Sequence, residues 1–223
     1  MTRSPPFAGG LLVLTDRAQA AAHRPESDLP GVVAGAIGGG ARTLLLREKD
    51  LPRSERRALA EALAELLRPV DGSLLVASDV GLAGEVGAAG VHLAAADPWP
   101  PAGTRPRVVG RSCHSVDDLR AALTNGADYV SLSPIWPSPS KPGYGPALGL
   151  RELAAACAAV PELPVVALGG VTAGRAAGCR AAGAAAVAVM GEVMRADDPA
   201  GCVRSLLAEM RSTGTGVGVG DGR

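Results

Sequence analysis

Short, continuous apolar runs recur along the chain, and this recurrence limits the folds open to it more than any other feature. Leu11-Leu-Val-Leu14 ends in Thr15, Asp16 and Arg17, and Thr43-Leu-Leu-Leu46 ends in Arg47, Glu48, Lys49 and Asp50. Leu74-Leu-Val-Ala77 ends in Ser78 and Asp79, and Gly90-Val-His-Leu93 leads towards Asp97. Arg107-Val-Val-Gly110 precedes Arg111, Ser112, Cys113, His114 and Ser115, and Tyr129-Val-Ser-Leu132 enters a Pro- and Ser-rich loop. Val165-Val-Ala-Leu168 is followed by Gly169-Gly170, and Ala185-Ala-Val-Ala-Val189 by Met190-Gly191. Runs without polar alternation are expected of strands buried on both faces.

Between the runs lie helical patterns with start signals. Ser54 precedes an Ala/Leu face reaching Leu67, and Ser115 with Asp117 and Asp118 opens a helix to Thr124. Thr172 opens one to Ala182, and Asp198-Pro199 opens one ending near Arg211. About eight β–α units, repeating roughly every 25 residues, predict an α/β chain folded as a (β/α)8 TIM barrel, one domain over residues 10–211. A doubly wound sheet is the alternative, but it rarely needs so many parallel repeats. Residues 212–223 read as a disordered Gly-rich tail.

Composition removes several function classes. Lys+Arg and Asp+Glu both total 22, and aromatics make up 2% of the chain, so neither a nucleic-acid footprint nor a base-stacking platform is expected. No apolar run is long enough to span a bilayer, and residues 1–10 lack the apolar core of a signal peptide. Cys113, Cys157, Cys179 and Cys202 are scattered without metal or disulfide spacing. A reduced cytoplasmic protein without membrane or nucleic-acid partners is expected. Homo-oligomerisation is left open.

In a barrel of this kind chemistry sits where strands end. The strand ends carry Arg47, Lys49, Asp79, Asp97, Ser112, His114, Ser138, Ser140 and Lys141. The loop from Ser133 to Pro146 cannot form a ladder, because its prolines lack donors and fix φ. Its Ser138, Ser140 and Lys141 suit a phosphate or pyrophosphate; a plain surface turn is the other reading. Arg47 and Lys49, two apart on an extended segment, face one way and can neutralise an anion, although such charge runs are commonly just solvated. Asp79 and Asp97 suit Mg2+, which takes one or two carboxylates plus phosphate oxygens; helix capping is their alternative. Gly170 and Gly191, in the loops after the seventh and eighth runs, suit a phosphate held by backbone N–H groups. His92 sits mid-strand, where a structural role is expected, and His114 can point into the mouth.

Four motifs together resemble the thiamine phosphate synthase / thiazole tautomerase superfamily. They are Leu-Leu-Leu-Arg-Glu-Lys-Asp ending at Asp50, Gly-Val-His-Leu ending at Leu93, Ser-Pro-Ile-Trp-Pro-Ser-Pro-Ser-Lys-Pro ending at Pro142, and Leu-Gly-Gly-Val-Thr ending at Thr172. The similarity runs from about residue 11 to about residue 207. The resemblance implies a barrel enzyme that joins hydroxymethylpyrimidine pyrophosphate to thiazole phosphate with Mg2+, releasing pyrophosphate. It implies that Arg47, Lys49, Ser112 and Lys141 hold the pyrophosphate and that Asp79 and Asp97 carry Mg2+. Ser138, Ser140 and Gly170 fall on the thiazole phosphate side. The chain departs from the synthase pattern at Leu45 (usually Gln), Ser78 (usually Asn) and Ala94-Ala-Ala-Asp97 (usually Gly-Gln-Glu-Asp). Around His114 and Gly191 it is closer to the tautomerase branch, in which a histidine at the position of His114 shuttles a proton on a carboxythiazole phosphate without metal. The synthase is the leading expectation, because both carboxylates and all three cations are present; tautomerase and non-catalytic phosphate-ligand sensor are the alternatives.

Overall fold

A computed structural model describes residues 10–138 and 146–211. Eight parallel strands close into a barrel in sequence order, and the first pairs with the last. They are β1 (Leu11–Leu14), β2 (Thr43–Leu46), β3 (Ser73–Ala77), β4 (Gly90–Leu93), β5 (Val108–Cys113), β6 (Tyr129–Leu132), β7 (Val165–Leu168) and β8 (Ala186–Val189). The helices α1 (Arg17–His23), α2 (Leu29–Gly38), α3 (Arg53–Leu67), α4 (Val80–Glu85) and α5 (Val116–Thr124) lie in the first five connections. They are followed by α6 (Gly149–Ala159), α7 (Ala173–Ala181), α8 (Gly191–Met194) and α9 (Pro199–Arg211).

The unbroken apolar runs are explained by burial on both faces. Leu12, Leu14, Leu45, Leu75, Ala77, Val166, Ala186 and Ala188 fill the barrel interior. Their neighbours Leu11, Val13, Leu44, Leu46, Val130, Leu132, Val165 and Ala167 pack outward under the helices. The cross-strand register sets Ala77 beside His92, His92 beside Gly110, and Gly110 beside Tyr129. A Cβ on Gly110 would collide with the Tyr129 ring, so this glycine makes room for the bulkiest side chain inside the barrel. Ala77 on β3 and Ala188 on β8, both small, line a cavity at the strands' C-terminal ends.

Three local expectations are corrected. β5 continues through Arg111, Ser112 and Cys113, because Ser112 still pairs with Ser131 and Cys113 with Leu132. The fourth repeat has a single 3-10 turn (Ala102–Thr104) where a helix was expected, since Pro98, Pro100, Pro101 and Pro106 deny it the donors. Ser54 lies within the first turn of α3, and Pro52 occupies the cap position. Ser115, by contrast, caps α5 as expected, its hydroxyl accepting from the Asp118 N–H. Ser140, Lys141 and the expected tail at 212–223 lie outside the described residues. Among the described residues no helix is long and apolar enough to cross a membrane.

Candidate active site

A cavity of about 950 Å³ opens at the C-terminal end of the barrel. Arg47, Lys49, Ser112, His114, Ser138, Gly170 and Gly191 all line it, so one face gathers these candidates from five connections. Asp79 and Asp97 do not line it; they follow the lining residues Ala77 and Ala96 in the chain. Leu14, Leu45, Ala77, Leu168 and Ala188 supply an apolar floor.

The exit of β2 shows how an Arg-Glu-Lys-Asp run becomes a one-sided array. The Arg47 N–H donates to Thr15 Oγ1 at 3.0 Å, and the Thr15 N–H donates to the Leu45 carbonyl at 3.0 Å, which extends the backbone beyond the strand. Arg47 and Lys49 turn towards the cavity. Glu48 is buried on the opposite side, where it accepts from the Arg17 backbone N–H and guanidinium, both at 3.1 Å. Arg17 also forks onto Asp50 at 2.9 and 2.7 Å. The hydrogen bond from Arg17 holds the Asp50 carboxyl below its ordinary range. Lys49 donates to Ser78 Oγ at 2.7 Å, tying the exits of β2 and β3 together.

Ser78 has φ 59°, the left-handed region that residues other than glycine and asparagine seldom adopt. Asp79 follows it and starts α4: Oδ1 accepts the Leu82 N–H at 2.8 Å, while Oδ2 lies 3.6 Å from Arg56 and 3.8 Å from Arg53. Asp97 turns back onto its own loop, Oδ2 accepting the Ala94 N–H at 2.7 Å. Arg111 pins that loop by donating to the carbonyls of Asp97 and Ala95, both at 2.6 Å, with its guanidinium 4.9 Å from the Trp99 ring centroid. Asp79 thus does the helix capping considered above, whereas Asp97 closes its own loop and caps no helix. Each has one oxygen in a close backbone bond, and no close hydrogen bond fixes Asp79 Oδ2. Among the described residues no group of three or more His, Cys, Asp or Glu side chains gathers as a metal cage. A hard cation that draws its other ligands from substrate and water is compatible with such a two-carboxylate set.

The two histidines have different settings. His114 Nδ1 lies 2.7 Å from the Ser133 carbonyl; a carbonyl only accepts, so Nδ1 carries the proton there. His92 also reaches the cavity, although it is buried and hydrogen-bonded to Tyr129 and Ser112. Desolvation, and secondarily the charge of Lys49, lower its pKa to about 4. The structural expectation for His92 therefore captures only part of its position.

At the exit of β7, Gly169 and Gly170 have φ 97° and 62°, and a Cβ at Gly170 would stand 2.6 Å from the Pro137 carbonyl. Glycine is required twice over, by conformation and by the close approach of the β6 loop. Thr172 caps α7 by position but makes no side-chain bond to it, and it lines the cavity. Two cations that the sequence reading passed over also line this side. Arg175 donates to the Gly170 carbonyl at 2.7 Å and lies 5.0 Å from the Trp136 ring centroid. Arg195 donates to Gln19 and covers Gly191. Arg175 lies within α7 and Arg195 in the turn after α8, both well beyond the ends of their strands. Burial raises the Cys113 thiol to about 12 and those of Cys179 and Cys202 to about 11, which makes them poor nucleophiles.

The profile of a family described as thiamine monophosphate synthase matches residues 11–193. The thiamine-phosphate synthase of a Roseiflexus species is 38% identical over 213 residues, covering 93% of this chain and 88% of that protein. The thiamine-phosphate synthase of Roseiflexus castenholzii is 37% identical over 214 residues, covering 92% and 91%. Among solved structures, a thiamine phosphate pyrophosphorylase from Pyrococcus furiosus superposes with a TM-score of 0.79 at 27% identity, covering 93% of this chain and 98% of that one.

Proposed function

The chain belongs to the thiamine monophosphate synthase family, and from that membership and the cavity's geometry we propose a division of labour among its residues. The activity is that of a transferase: hydroxymethylpyrimidine pyrophosphate and thiazole phosphate are coupled to thiamine phosphate, and pyrophosphate leaves. The tautomerase and sensor alternatives find no support among these relatives. The observation that carries the residue assignment is that one cavity gathers two cationic or N–H-rich groups of residues, one from the exits of β2 and β5 and one from those of β7 and β8. Arg47, Lys49 and Ser112 form one, and Gly170, Gly191, Arg175 and Arg195 the other.

In this reading Arg47, Lys49, Ser112 and Lys141 take the pyrophosphate. Gly170 and Gly191 take the thiazole phosphate through backbone N–H groups, with Ser138 and Ser140 assigned to the same side and Arg175 and Arg195 adding charge. The C–O bond between the pyrimidine methylene and pyrophosphate breaks, and its electron pair leaves with the pyrophosphate. The thiazole nitrogen then forms the new C–N bond to the cationic methylene. The cationic wall lowers the barrier because negative charge on the leaving oxygens grows as the bond opens. The apolar floor keeps water from the methylene cation, and His114 supports the mouth through Ser133. Asp79 and Asp97 are the residues that would hold Mg2+, which when bound supplies further positive charge to the pyrophosphate. No nucleic acid or membrane takes part, and a cytoplasmic setting fits small phosphorylated substrates and a chain of zero net charge.

Incubating the purified protein with both substrates tests this directly. Thiamine phosphate and equimolar pyrophosphate are expected with Mg2+, and EDTA should remove most of the rate. Isomerisation of a carboxythiazole phosphate that ignores EDTA and vanishes in His114→Asn would instead favour the tautomerase.

A further inference from the structure

Three polar side chains at the bottom of the cavity form a hydrogen-bonded chain. Tyr129 is fully buried with its ring over Gly110, and its hydroxyl lies 2.8 Å from His92 Nδ1. His92 Nε2 lies 3.0 Å from Ser112 Oγ and 3.3 Å from Ser131 Oγ. Adjacent strands supply all four groups, and the β5–β6 register sets Ser112 directly beside Ser131. His92 and Ser112 reach the cavity, whereas Tyr129 is not among its lining residues.

The chain has two polarities, and only one leaves Ser112 a proton for an anion above it. A neutral imidazole has one N–H and one lone pair. Burial keeps His92 neutral at ordinary pH and pushes the Tyr129 phenol far above its usual range, so the phenol keeps its proton. If Nδ1–H donated to Tyr129, the single Nε2 lone pair would face two hydroxyls. The Ser112 proton would then be drawn down towards the floor. If Tyr129 donates to Nδ1, the Nε2–H is shared between two hydroxyl oxygens at unequal distances, and each hydroxyl keeps its proton for another acceptor. An anion above Ser112 needs that proton as its donor.

We propose that Tyr129 and His92 are positioning residues that polarise Ser112 through a phenol–imidazole–hydroxyl chain, fixing it as a hydroxyl donor to the leaving pyrophosphate. The inference rests on the assignment of Ser112 to the pyrophosphate wall. It adds a donor with its direction set before substrate arrives, so that no reorientation is needed as charge develops.

The first test is the tautomer in the resting protein. Ring-15N-histidine labelling and long-range proton–nitrogen correlation at neutral pH should show His92 as the Nε2–H form, and Tyr129→Phe should erode that preference. The second test is kinetic. His92→Leu should lower kcat/KM for the pyrophosphate substrate by about 10- to 100-fold, the usual cost of losing a group that orients a ligand, with KM for thiazole phosphate unchanged. His92→Gln, whose amide can still donate to Ser112, should recover most of that loss. In a Ser112→Ala background, His92→Leu should cost no more than about twofold further, because the two residues act as one unit. An Nδ1–H tautomer or an imidazolium in the wild-type protein overturns the proposal, as do losses that simply add. A protein that makes no thiamine phosphate defeats the functional reading instead, and the tautomer measurement still decides the chain.

Discussion

Asp79 serves two purposes that one substitution can separate. Its Oδ1 caps α4 and its Oδ2 faces Arg53 and Arg56. Asparagine caps a helix about as well as aspartate, so Asp79→Asn keeps the start of α4 and deletes only the charge. If that charge holds Mg2+ against the leaving group, product formation should fall on the order of 10²-fold. The fold should survive, with a stability loss of about 1 kcal/mol or less from the weakened contacts to the two arginines. Circular dichroism, thermal melting and a steady-state assay measure the two effects separately, and an Asn variant as fast as its parent would remove Asp79 from the metal site. The preceding residue shows what a sequence hides at this scale. A glycine or asparagine at position 78 would have pointed to a left-handed backbone, but serine gives no such sign. The direction of the Asp97 side chain was equally unreadable, because both capping and metal binding suit an aspartate at the end of a strand.

The strands were the most legible elements, because burial on both faces writes itself into a run as simple continuity. The β5 boundary was not legible: Arg111 and Ser112 look like loop residues in isolation, and pairing with β6, for Arg111 also with β4, keeps them in the strand. That extension changes the chemistry, since it turns Ser112 from a loop residue into an inward-facing strand residue joined to His92. The β2 exit was legible in part. Spacing of two put Arg47 and Lys49 on one side, but what restrains the other side is Arg17, 31 residues from Glu48 in sequence. This element carries its own prediction. Glu48→Gln keeps the shape but weakens the buried, charge-assisted bonds to Arg17, costing about 1 kcal/mol once the partial exposure of Arg17 is allowed for. Slackening the exit should raise KM for the pyrophosphate substrate several-fold and leave KM for thiazole phosphate as it was, since Gly170 and Gly191 hold their ligand through backbone N–H groups that Glu48 does not touch. Equal changes in both constants would show that Glu48 stabilises the barrel generally and does not align its cations.

At the scale of the whole molecule, closure of the sheet leaves no strand with an unpaired edge, so the described barrel should melt as one cooperative unit. A ligand at the mouth touches residues from several strand ends and stabilises the entire unit by mass action. Pyrophosphate with Mg2+ at about 100 times its Kd should therefore add about 2.7 kcal/mol. For a chain of this size that raises Tm by roughly 5–11 °C. EDTA should remove most of the shift, because the anion would then face Asp79 and Asp97 without a cation between them. Inorganic phosphate should also raise Tm, through the Gly170 and Gly191 wall, and its effect should survive EDTA. Scanning calorimetry on the full chain reads all four conditions. A pyrophosphate shift indifferent to EDTA would take the metal out of the site while leaving the cationic wall in place. If neither anion moves Tm, even at millimolar concentration, the two groups of cavity residues are not anion sites, and the division of labour assigned to them falls with that result.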